Sequence, residues 1–202
     1  GDGELVIENI RTGKKTIVPR ATRAKLSEDG SKVVAVIKPL FEQTRQAKIK
    51  KAKKEDMPKD TLALIDVKSG KVEKFANLKS HATADKWSNY LAFELTPAKE
   101  KADKKAKKEE GKDDKKKPAP KKEVNKLLVM NVLTNKVDTI KNVTSYKFNE
   151  DGSWLAYVVE PEKKDSLGKA GLFLYNPANG ESKAVLEGAK GSKFKTPTFS
   201  EV

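Results

Sequence analysis

Four short apolar runs recur along the chain, each ending in Asn or Asp: Leu5-Val6-Ile7-Glu8-Asn9, Leu62-Ala63-Leu64-Ile65-Asp66, Leu128-Val129-Met130-Asn131 and Leu172-Phe173-Leu174-Tyr175-Asn176. Four residues after each Asn or Asp stands Gly13, Gly70, Asn135 or Gly180. Gly and Asn enter positive φ at least cost, and an Asn or Asp side chain bonds the backbone of the turn it starts. The pattern therefore predicts four β-hairpins. Their returning strands are Thr16-Ile17-Val18, Val72-Glu73-Lys74-Phe75, Val137-Asp138-Thr139-Ile140 and Lys183-Ala184-Val185-Leu186.

A second half-repeat follows each hairpin. Its clearest copy runs from Tyr146 through Asn149-Glu150-Asp151-Gly152-Ser153 to Val159: a strand, an acidic-Gly turn and an apolar strand. The first copy is Leu26-Ser27-Glu28-Asp29-Gly30-Ser31 with Val33-Val34-Ala35-Val36. The second, Asp85 to Phe93, carries Ser88-Asn89 in place of Gly-Ser. The fourth begins at Thr198-Phe199-Ser200-Glu201 and stops where Asp-Gly should come.

Four short strands per unit, roughly 40–45 residues once insertions are removed, make one blade of a propeller. The expected fold is all-β: a partial β-propeller of four-stranded antiparallel blades, three blades and part of a fourth, over residues 1–202. Repeats fall at approximately 1–38, 60–96, 126–160 and 170–202, with insertions at 39–59 and 97–125. The anchors Asn9, Asp66, Asn131 and Asn176 lie 57, 65 and 45 residues apart, and the two long intervals are the ones holding the insertions. Tyr146, Phe148, Trp154, Tyr157, Trp87, Tyr90 and Phe93, at strand spacing, are expected to fill the core and the seams between blades.

Charge sharpens this division. The chain carries a net charge of +14. Arg45 to Asp60 holds seven basic and three acidic residues, and Pro97 to Lys126 thirteen Lys and seven acidic residues, so the insertions account for most of the excess. The first insertion is rich in helix formers, with Pro39 at an entry position and Asp56-Met57-Pro58 as a stop, and reads as a helical or extended excursion between blades one and two. The second is low-complexity, Lys-rich and expected to be disordered, because it cannot bury enough apolar surface to offset ordering.

Candidate chemistry is sparse. There is no cysteine, hence no disulfide, thiolate metal site or cysteine nucleophile. No G-x-S-x-G pentapeptide occurs. The only histidine, His81, is placed between the second and third strands of its blade and makes neither a multi-His metal site nor a triad. Gly188-Ala189-Lys190-Gly191-Ser192-Lys193 lacks the Gly-Lys-Ser/Thr ending of a phosphate loop. Asn142-Val143-Thr144 fits a glycosylation sequon, a weak signal. No catalytic, cofactor-binding or metal residue is assigned, and no cofactor is expected. Interleaved aromatics are missing from the Lys-rich run, so a nucleic-acid partner is not expected. No apolar run reaches the length of a membrane span, and no membrane partner is expected. The start at Gly1-Asp2-Gly3 reads as a cut end, with any export signal upstream.

The segment Ile37-Lys38-Pro39-Leu40-Phe41-Glu42-Gln43-Thr44-Arg45-Gln46-Ala47-Lys48-Ile49-Lys50-Lys51, followed by Asp56-Met57-Pro58-Lys59-Asp60, resembles a stretch of Bacteroidetes-type serine peptidases of the prolyl oligopeptidase family. The Lys-rich insertion and Thr144 to Tyr157 resemble them too. The resemblance, to dipeptidyl peptidase IV-like or acylaminoacyl peptidase-like members, covers essentially the whole chain. It implies a propeller preceding a C-terminal α/β-hydrolase domain in an exported parent, periplasmic or extracellular, with the propeller screening short peptide substrates. The family's triad lies in that hydrolase domain, so no catalytic residue carries over. Glu109-Glu110 is no credible counterpart of the acidic pair that holds a substrate amino terminus in dipeptidyl peptidases. A stand-alone interaction propeller of the Tol or WD-repeat type is the main alternative, and a basic nucleic-acid binder the third. An incomplete ring exposes strand edges, so self-association is expected.

Overall fold

The computed structural model describes residues 2–87, 89–97, 125–160, 170–188, 192–195 and 197–200. The expected disorder of the Lys-rich insertion, with Glu109 and Glu110, falls outside the described residues. In order the elements are β1 (Glu4–Glu8), β2 (Lys15–Pro19), β3 (Ala21–Leu26), β4 (Lys32–Ile37), α1 (Phe41–Ile49), β5 (Asp60–Asp66), β6 (Val72–Ala82), β7 (Tyr90–Leu95), β8 (Lys126–Asn131), β9 (Val137–Lys141), β10 (Val143–Phe148), β11 (Leu155–Val159), β12 (Gly171–Asn176) and β13 (Glu181–Glu187).

The hairpin turns are built as their sequences require. Gly13, Gly70, Asn135 and Gly180 have φ of 67°, 77°, 61° and 79°. Their N–H groups donate to the carbonyls of Asn9, Asp66, Asn131 and Asn176 at 2.8–2.9 Å. The side-chain oxygens of those four anchors accept from backbone N–H groups two or three residues on, as from Ser69 to Asp66 at 2.7 Å. Asp29 and Asp151 cap the acidic-Gly turns, accepting from the N–H of Ser31 and Ser153.

Strand pairing is antiparallel throughout: β1-β2, then β3 to β9 in series, then β10 to β13 in series. The seven-strand series is two blades sharing one long strand. β6 turns at Asn77, φ 61°, and pairs β5 through Val72 to Leu78 but β7 through Leu78 to Ala82. Val34 and Leu64 on one side of this bend pack with Leu91, Phe93 and Met130 on the other. In a flat sheet β4 and β8 would stand roughly 19 Å apart, at about 4.8 Å per strand. The sheet therefore folds over at Asn77, giving blade I (β3, β4, β5, first part of β6) and blade II (rest of β6, β7, β8, β9). Blade III is β10 to β13, and β1-β2 form a two-stranded part of a fourth. The molecule is a partial β-propeller.

The blades are phased differently from the sequence units. Each of the first three hairpins and the half-repeat after it lie in different blades, hinged at Arg20, Asn77 and Asn142, all with φ of 60–62°. The insertions are placed accordingly. α1 lies between β4 and β5, adjacent strands of one blade, rather than between blades as expected; the chain from Thr96 to Asn125 likewise joins neighbours β7 and β8. Because neighbouring strands are antiparallel, these connections and the three hinges share one end of the stack, and the glycine turns share the other. The carbonyls of Arg20, Asn77 and Asn142 accept from Lys38, Thr96 and Glu160, the residues leaving for those connections.

The core lies in the seams. Along each middle strand alternate residues face alternate seams. Leu5 and Ile7 meet Ala63 and Ile65; Leu62 and Leu64 meet Met130 and Leu128; Leu127 and Val129 meet Tyr175 and Phe173. Trp87, Phe93, Phe148 and Tyr157 are buried as expected, and Tyr90 and Tyr146 half-buried. Trp154 departs from expectation and is exposed. It lies on the same side of β11 as Ala156 and Val158, away from blade II. Thr198 to Ser200, where the fourth half-repeat was expected to begin, form no strand.

Candidate functional site

The seam pattern has one break. In the inner hairpin of each blade, Thr22 pairs with Val36, Ser80 with Glu94, and Ser145 with Val158. Two blades place valine at this buried position; blade II places a carboxylate, only 4% exposed. A buried charge is sustained only by partners. Glu94 has the Lys79 ammonium at 2.7 Å and the Ser80 hydroxyl donating at 3.4 Å. Ser80 Oγ shares a hydrogen bond of 2.8 Å with the Tyr146 hydroxyl of blade III. Burial, with the nearby Glu94 charge, pushes the Tyr146 phenol well above its ordinary range, so it stays neutral. A second tyrosine crosses the same seam: Tyr175 donates to Asp138 at 2.6 Å, and burial and that carboxylate likewise hold its phenol high.

This polar seam ties blade II to blade III, and its groups lack the parts of acyl transfer. Ser80 is bonded to a phenol that cannot act as base near neutral pH. His81 points to the opposite side of β6 by strand alternation. His81 itself lies within β6, opposite Phe93, rather than in a connection; desolvation and the charge of Arg23 depress its pKa. Among the described residues no group of three or more His, Asp or Glu is placed to hold a metal.

The other sequence candidates resolve into backbone geometry. Asn142 of the sequon is a hinge residue, half-buried and left-handed. Gly188 of the Gly-Lys run donates its N–H to Ala170, the same closure that Asn142 makes to Asn125; Ala189 to Gly191 lie outside the described residues. A cleft of about 120 Å³ between blades I and II is lined by Lys32, Asp66, Lys71, Glu73 and Asn135. It is below the roughly 300 Å³ of a ligand site, and its charges pair internally, Lys32 with Asp66 and Lys71 with Glu73, each at 2.7 Å. The hydrogen bond from Lys32 holds the Asp66 carboxyl far below its usual range. No helix of the described residues is long and apolar enough to cross a membrane.

The hinge residues and Glu94 escape a reading of the sequence. The hinges had a signal, since Arg20, Asn77 and Asn142 repeat the 57- and 65-residue spacing of the anchors. Glu94 had a weaker one, as an acid interrupting the apolar strand Leu91-Ala92-Phe93-Glu94-Leu95.

No protein-family model matches the sequence, and no curated protein is similar to it. Among solved structures, the β-propeller domain of the Trilobed protease from Pyrococcus furiosus is similar at 12% identity and TM-score 0.47, over 92% of this chain and 50% of that one. The acylaminoacyl peptidase of Pyrococcus horikoshii is similar at 15% and 0.46, over 92% and 28%. The tricorn protease is similar at 13% and 0.42, over 90% and 15%. The chain thus spans half or less of the length of each.

Proposed function

We propose that the chain is the non-catalytic propeller portion of an exported serine peptidase of the prolyl oligopeptidase family, screening short peptides from a C-terminal α/β-hydrolase domain. The observation that carries this reading is the segment Ile37 to Asp60, family-like in sequence and seated between two strands of one blade with its ends clipped together by Lys38 and Asp60 at 2.6 Å. Supporting it, the described residues fold as a partial propeller of antiparallel blades. The complete reading frame tests it. A G-x-S-x-G followed by Asp and His downstream of Val202, with hydrolysis of chromogenic proline-containing peptides that a serine-directed inhibitor blocks, is the expected result, while residues 1–202 alone should be inert. A complete ring of blades followed by a stop codon would instead make the protein an interaction propeller.

A further inference from the structure

The helix α1 is built inside out. By its wheel of about 100° per residue, Thr44 and Ala47 turn towards the protein, and both are half-buried. No residue of the helix is buried. Of its two largest apolar side chains Ile49 lies on the opposite side and Phe41 on the flank, 62% and 61% exposed, each within about 40° of Arg45 on the wheel. Leu40, 42% exposed, precedes them. Lys48 in the last turn and Lys50, Lys51, Lys53 and Lys54 just beyond it follow in the chain, and residues 40–59 hold seven basic against three acidic side chains.

We propose that this face is a docking surface for an anionic lipid membrane. Two features select that occupant. The excess positive charge repels a second copy of the same face. Exposed apolar side chains in a Lys-rich segment match acyl chains beneath anionic headgroups. This departs from the absence of a membrane partner expected above, because only the fold shows that Phe41 and Ile49 are both exposed. The contact is peripheral and needs no spanning segment.

Sedimentation with vesicles of mixed phosphatidylglycerol and phosphatidylcholine tests it. The chain should sediment with them, weaken as salt rises, and ignore vesicles of phosphatidylcholine alone. The paired variants Phe41→Ser with Ile49→Ser, and Arg45→Glu with Lys48→Glu, should each lose binding by roughly tenfold or more. All four positions are exposed or unburied, so circular dichroism should show an unchanged fold. Equal binding to neutral vesicles, no binding to anionic ones, or full binding by both variants would overturn the proposal. So would equally tight binding to duplex DNA or polyglutamate through the same residues, which would make the face a general polyanion contact.

Discussion

The Glu94 carboxylate lies 2.7 Å from the Lys79 ammonium, at a register position where the neighbouring blades carry Val36 and Val158. The pair is asymmetric. Glu94 is enclosed in the seam, whereas the Lys79 side chain is 45% exposed and can turn to water. The two halves should therefore differ when removed. Glu94→Val restores the seam pattern and is expected to be neutral or to stabilise by up to about 2 kcal/mol. Lys79→Met strands a buried carboxylate and should cost about 2–3 kcal/mol. Urea unfolding of the two variants checks this, and the opposite order would show that Lys79 is not what sustains the charge.

Two equivalent turn glycines should respond unequally. Gly13 has φ 67° and open space where a Cβ would stand, so Gly13→Ala should cost about 1 kcal/mol for its left-handed backbone alone. At Gly70, φ 77°, a Cβ would lie 2.9 Å from the Thr16 hydroxyl of the preceding sheet. Gly70→Ala should cost clearly more, roughly 2–3 kcal/mol, and loosen β2 as well. Hydrogen exchange at Ile17 and Val18 reads the second effect.

His81 should make stability pH-dependent. Its pKa in the folded chain lies below the ordinary 6.5, through burial first and Arg23 second. The folded state thus binds fewer protons than the unfolded one, so stability rises with pH across this range. The contribution is complete above about pH 6.5 and is lost as pH falls towards the folded pKa. Asp29 and Asp151, held low by Ser27 and by the Ser153 N–H respectively, act only below about pH 3.8. The fall between pH 6.5 and 5 should be missing in His81→Gln, measured by urea midpoints.

Lys86 and Glu150 bridge the turns of blades II and III at 2.7 Å, but their side chains are 58% and 56% exposed. Lys86→Ala should leave the unfolding midpoint unchanged within error. The same turns stay joined by the bond from the Lys86 N–H to the Glu150 carbonyl at 2.8 Å, which the substitution does not touch.

The amino-acid sequence by itself determined the turns and the alternation. Asn or Asp followed four residues later by a left-handed Gly or Asn is a local chemical instruction, and continuous apolar runs such as Leu62-Ala63-Leu64-Ile65 specify a strand buried on both faces. Which strands share a sheet was decided by the tertiary structure. A strand's hydrogen-bond partners are set by packing at long range, and Asn77 looks like an ordinary strand residue until β5 and β7 are seen on either side of the bend. The same holds for Glu94, Phe41 and Ile49. A residue's type states what it costs to bury or expose, and only the fold reveals which of those costs the molecule has accepted.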